Sequence, residues 1–338
     1  MLNAVRSPSL MQAPDSPRST RLTYSRHHLV DISKSTLEIA ESGSYVNGRG
    51  ETVDISEHLD YAMSHSEHFH FTHKFASPSV DRLGSYTTKF TIAYGSPIRI
   101  ASKLQHVGGG NVAILNSASS KNPGGRIDKG TLSAEDCLCR SALLHPCLFQ
   151  YYGQRDHYYD INLSPPHNGV TSSTCAIYSP RVPIVREDNV EACLLDEPHF
   201  VSFVSIPATN AFTHGKLPDE DDCPEEEYER RRRVLKEDMS DRCYRALSIM
   251  ADNGCTEIVL GAFGCGVHGN DPYMVAEIFR KLLEEDFRGI FHAVVFAIQP
   301  SRKMNFQAFT EVFGVQDTAA RGGTGALSRS LRSVVEEE

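Results

Sequence analysis

Two junctions, each running from a strand through a glycine-bearing loop into a helix, constrain this chain more than anything else in it. In the first, the apolar run from Asn111 to Asn116 leads through the loop residues SASSKNPGGR into a helical stretch from Ala134 to Leu144. In the second, Glu257 to Leu260 leads through GAFGCGVHGN into a helical stretch from Pro272 to Glu284. Glycines after a strand let the backbone turn tightly and bring N–H groups against an anion, helped by the dipole of the next helix. Neither loop is a Walker loop, because no Gly-Lys-Ser/Thr follows, and no G-x-G-x-x-G fingerprint occurs. Taken alone, either loop could be a phosphate cradle or a plain tight turn.

The rest of the pattern fits an α/β protein. Helices are expected at Ile32 to Glu41, with Gly43 as the stop, at Ile98 to Gln105, and at Pro224 to Asn253. A hairpin is expected over Tyr45 to Ile55 around Asn47-Gly48. Further strands are expected at Tyr86 to Ala93, Thr174 to Tyr178, Phe200 to Ile206 and Phe291 to Ile298. Several of these strands are continuously apolar, which argues for a sheet covered on both faces. Residues 1–28 read as a disordered leader, with a transit peptide as the lesser alternative. Residues 29–314 read as one domain, and the Gly/Ser/Arg-rich end, 315–338, as a flexible tail.

Composition narrows the function. A net charge of −9 argues against broad electrostatic binding of nucleic acid, so a phosphate-bearing ligand needs locally placed donors. No run approaches a membrane span. Nine cysteines, an odd number with no C-x-x-C pair, fit free thiols in a reducing compartment, cytoplasmic or nuclear, and give little support to a structural zinc site. The histidines at 65, 68, 70 and 73 have metal-like spacing but only Glu67 as a carboxylate, so a loop or strand face is the expectation and no metal or cofactor is assigned.

The stretch LNSASSKNPGGR, then seven residues, then Ala134-Glu135-Asp136, Leu138-Cys139-Arg140 and LHPCL at 144–148 resembles, without a gap, the signature of the microbial-type poly(ADP-ribose) glycohydrolases. That signature runs L-N-F-A-S-A-x-N-P-G-G-G, about seven residues, Q-E-E, L-x-R and an L-Y-P-C-L-like end. LEIAESGSYVNGRGETVDI at 37–55, SPRVPIVR at 179–186 and the loop from Gly261 to Asn270 are also similar to family segments, in order. The resemblance implies a three-layer α/β/α macrodomain with a mixed central sheet. It implies binding of ADP-ribose, poly(ADP-ribose) or a related ADP-ribosyl conjugate, with hydrolysis of the ribose–ribose O-glycosidic bond.

By resemblance, Asn122 contacts the distal ribose, and Gly124 and Gly125 let the loop approach it. Gly264, Cys265, Gly266 and Val267 would donate backbone N–H groups to the diphosphate. The family's acid falls on Asp136, and Glu135 would bind ribose hydroxyls. Two positions depart from the pattern. Arg126 replaces the third glycine and is either an exposed loop charge or a partner for an extra phosphate. Asp136 is one methylene shorter than the family's glutamate, and a carboxylate displaced by about 1 Å can cost on the order of 100-fold in rate. The alternative function is therefore a non-hydrolytic ADP-ribose reader. A gapped alignment would instead place Glu135 on the acid position, at the expense of agreement at Leu138 and Pro146.

Overall fold

A computed structural model describes residues 25–78, 83–108, 110–167, 171–212 and 224–314. The chain opens with α1 (Arg26–Ser42), which starts three residues before the expected domain boundary and is capped at its C-terminus by Gly43. The hairpin follows as β1 (Ser44–Val46) and β2 (Thr52–Asp54), its turn held by the Asn47 side chain, which accepts from the N–H groups of Arg49 and Glu51. Two short elements that periodicity did not signal, α2 (Ser56–Ser64) and β3 (Glu67–Phe69), come next, with His68 on the strand. Then come β4 (Lys89–Tyr94), α3 (Pro97–Gly108) and β5 (Val112–Ser117), and after the first glycine loop α4 (Ala134–Ser141).

The expected helix over 134–144 is broken. Ala142 is extended and bridges to Ile184, and a new helix, α5 (Leu144–Phe149), starts after it. Pro146 explains the break: it has no N–H to offer the Ala142 carbonyl, yet it sits well in the first turn of a fresh helix. The remainder is α6 (Tyr158–Leu163), β6 (Ala176–Arg186), β7 (Leu194–Ile206), α7 (Glu225–Asp252), β8 (Glu257–Leu260), α8 (Pro272–Glu284), β9 (Ala293–Ile298) and α9 (Lys303–Phe313). The strands expected near 174–178 and 200–206 are thus each longer than their apolar cores.

The seven-stranded sheet has the order β3-β6-β7-β5-β8-β9-β4. Strands β4, β9, β8, β5 and β7 run parallel, while at one side β6 adds antiparallel to β7 and β3 antiparallel to β6. One apolar cluster joins α7, α8 and α9 to one face of the sheet, and a second joins α1 to α5 to the other. The result is three layers, α/β/α, as expected for strands buried on both sides. Two buried arginines on α7 pin irregular chain to this frame. Arg242 donates to the carbonyls of Ser172, Ser173 and Pro207 and pairs with Asp238; Arg245 donates to those of His70, His73 and Thr174. No described helix is long and apolar enough to cross a membrane.

Candidate active site

Because β5 and β8 are parallel neighbours, the two glycine loops leave the sheet side by side from the strands' carboxyl ends, where open α/β sheets form ligand crevices. The first loop is built around a tight turn. The Gly125 N–H donates to the Asn122 carbonyl at 3.0 Å, Pro123 occupies the second position, and Gly124 takes φ +68°, the arrangement of a type II turn. Gly125 also has φ +68°, and a Cβ there would collide with the Asp136 carboxylate, so glycine is required on both counts. Asn122 and Arg126 are exposed at the loop's outer side.

Glu135 and Asp136 lie in the first turn of α4 and are both buried, 1% and 0% exposed. Their partners differ. The Asp136 oxygens accept from the Arg126 N–H at 2.7 Å, the Ser133 N–H at 3.1 Å and the Thr131 hydroxyl. With the Ser133 hydroxyl accepting from the Asp136 N–H, this forms a capping box, so Asp136 ties the glycine loop to the start of α4. Glu135 instead accepts from the Ser119 N–H at 2.7 Å and the Asn116 side-chain amide at 3.3 Å. Burial pushes its carboxyl up to about 8, against the pull of these hydrogen bonds, and the neighbouring Asp136 charge adds to the rise. A carboxyl that keeps its proton near neutral pH is equipped to donate it.

The second loop is closed from within. The Asn270 amide donates to the carbonyls of Gly264 at 2.9 Å and Thr209 at 2.7 Å, joining this loop to the chain leaving β7. The Cys265 N–H donates to the Ala262 carbonyl at 3.0 Å, so it is already engaged inside the turn, and burial raises its thiol to about 12. Gly266 and Val267 are exposed. Thus the fold brings the 122–126 and 264–267 loops and the carboxyl pair to one end of the sheet.

Several residues beyond those singled out in the sequence shape this site. Ser119 is a hub: its N–H holds Glu135, its hydroxyl accepts from the N–H groups of Lys121 and Asn122, and its carbonyl accepts from the Tyr158 hydroxyl. Arg140 holds the Thr131 carbonyl at 2.9 Å. Asn116, Ser119 and Arg140 fall inside the signature stretch and could have been marked there; Tyr158 has no local signal.

The family model described as microbial-type PARG, catalytic domain, matches residues 33–187. A crystal structure of a point mutant of poly(ADP-ribose) glycohydrolase from Thermomonospora curvata is 30% identical, with a TM-score of 0.71, covering 85% of this chain and all of that one. This chain belongs to the microbial-type poly(ADP-ribose) glycohydrolase family. The Thermomonospora curvata enzyme bound to the inhibitor ADP-HPD is 29% identical, with a TM-score of 0.70 and coverage of 84% and 99%. The Deinococcus radiodurans enzyme in complex with ADP-ribose is 28% identical, with a TM-score of 0.62 and coverage of 78% and 99%. A search of curated proteins returned no match. Membership of a catalytic family favours the hydrolase over the non-hydrolytic reader.

Proposed function

We propose that the unit spanning residues 29–314 is a hydrolase of ribose O-glycosidic bonds in poly(ADP-ribose) or a related ADP-ribosyl conjugate. The observation that carries this reading is a buried carboxyl, Glu135, whose Oε2 would lie 3.3 Å from a Cβ placed on Gly125 of the first glycine loop, at the end of the sheet from which the second glycine loop also leaves. The distal ribose would rest against the Asn122 to Gly125 turn, and the diphosphate against Gly264, Gly266 and Val267.

Glu135 would pass its proton to the leaving oxygen as the ribose C1–O bond breaks, leaving an oxocarbenium-like centre. Water adds to that carbon and returns a proton to the Glu135 carboxylate. Asp136, its oxygens committed to Arg126, Thr131 and Ser133, would hold the loop in register. A second reading keeps Asp136 as the acid, favoured by the ungapped match of Ala134-Glu135-Asp136 to Q-E-E. It requires Asp136 to leave these partners when substrate arrives. Incubating the chain with poly(ADP-ribose) should release free ADP-ribose, and calorimetry should find ADP-ribose bound more tightly than AMP. Binding without release would return the chain to the reader class.

A further inference from the structure

A row of aromatic rings runs along α5 and the turn after it. The His145 and Phe149 rings stack 5.5 Å apart at 21°, and those of Phe149 and Tyr152 5.9 Å apart at 20°. Both ends of the row reach the surroundings of the carboxyl pair. His145 Cδ2 would be 2.9 Å from a Cβ placed on Gly124, nearer than any other atom. Tyr152 meets Tyr159 edge-on at 5.8 Å; Tyr159 is fully buried, its hydroxyl is without a hydrogen-bond partner, and it meets edge-on, at 4.7 Å, the Tyr158 ring whose hydroxyl donates to Ser119, the residue whose N–H holds Glu135. The two middle rings are nevertheless open to solvent, Phe149 at 54% and Tyr152 at 46%. They form an exposed apolar rim on the housing of the acid.

We propose that Phe149 and Tyr152 form a stacking subsite for the adenine of the unit that carries the leaving oxygen, on the far side of the scissile bond from the ribose whose C1 takes up water. This rests on the proposed function, and the reasoning follows from its chemistry. The acid protonates the leaving oxygen, so the leaving unit lies on the acid's side of the cleft. That unit is an ADP-ribose residue, which presents a flat purine and an anionic diphosphate. Near-parallel exposed rings suit the purine, since base–aromatic stacking tolerates any base and adds substantially to affinity. Lys121 and Arg126, both exposed on the adjoining loop, place positive charge for the diphosphate in a chain whose net charge is −9.

The test compares two substrates of the full chain: poly(ADP-ribose), and a truncated substrate whose leaving group is a bare ribose. In Phe149→Ala and Tyr152→Ala, KM for the polymer should rise roughly tenfold with kcat little changed, as loss of one stacked base predicts. KM for the truncated substrate should stay within about twofold of the wild type, and Tyr152→Phe should behave as the wild type on both. An unchanged polymer KM, or an equal loss on both substrates, overturns the subsite while leaving the hydrolase reading intact. Concentration-dependent dimerisation of the wild type that both alanine variants abolish would assign the rim to a second copy of this chain and also overturn it. A wild-type chain inert towards both substrates would overturn the proposed function, and the subsite with it.

Discussion

Replacing Glu135 with Gln removes one titrating proton while keeping the side chain's shape, so it isolates the acid step. Burial raises the Glu135 carboxyl from 4.5 to about 8. An acid must carry its proton to act, so turnover should be full at low pH and fall as pH rises through that value. About nine-tenths of molecules hold the proton at pH 7 and about one-tenth at pH 9, so the rate falls roughly tenfold between them. Glu135→Gln should lower turnover by about 100-fold or more and remove that basic limb. Stability follows the same titration. The folded value lies above the ordinary one, so the contribution of the proton is fully present below pH 4.5 and is lost as pH rises towards about 8. At about 1.4 kcal/mol per unit, the wild type should lose on the order of 5 kcal/mol relative to Glu135→Gln across that window. Release of ADP-ribose from the polymer between pH 6 and 9.5, with urea unfolding at pH 5 and 9, measures both effects. If Asp136→Asn abolishes turnover and Glu135→Gln leaves the rate and its basic limb in place, the proton belongs to Asp136 and this reasoning is wrong.

Two further outcomes follow from the glycine loop. Gly125→Ala should lower stability by about 1–3 kcal/mol, through its positive φ and the collision with Asp136, and should lower turnover with it; thermal melting and a rate assay read this together. Arg126→Gly keeps the N–H that Asp136 accepts, so plain ADP-ribose should bind as before or better in titration calorimetry, while a phosphorylated ADP-ribose should bind more weakly if the guanidinium serves that phosphate.

Much of the fold was legible where an amphipathic helix or a continuously apolar run between polar loops marks the element, the four-residue β8 included. Strand β8 and helix α8 match their expected spans, and the order of the parallel strands is what places the two loops together. The short elements β3, α2 and α6 have neither a continuous apolar run nor a turn signal to mark them, and α6 matters because Tyr158 reaches Ser119 from it. The break after α4 was readable from Pro146, but the capped, amphipathic start of the segment outweighed it. At the site, the resemblance named both carboxylates and put the acid on Asp136 and the ribose contact on Glu135; the proposed function reverses those two roles on grounds the sequence does not carry. The carboxylates' spacing is that of adjacent residues on one helix turn, and only the donors around each, Ser119 and Asn116 against Arg126, Thr131 and Ser133, tell them apart.

The capping box at Ser133 and Asp136 has a consequence for how this region forms and fails. One carboxylate starts a helix and, through the Arg126 N–H, also closes a loop whose ends lie ten residues away. Neither segment can order alone without leaving donors of the other unmet, since the first turn of any helix presents N–H groups that need acceptors. The loop and helix should therefore open as one cooperative unit, visible in hydrogen exchange as shared protection of the Arg126 and Asp136 amides. Substitutions that loosen α4 would then reach the first glycine loop without touching it, by letting the Asn122–Gly125 turn come undone.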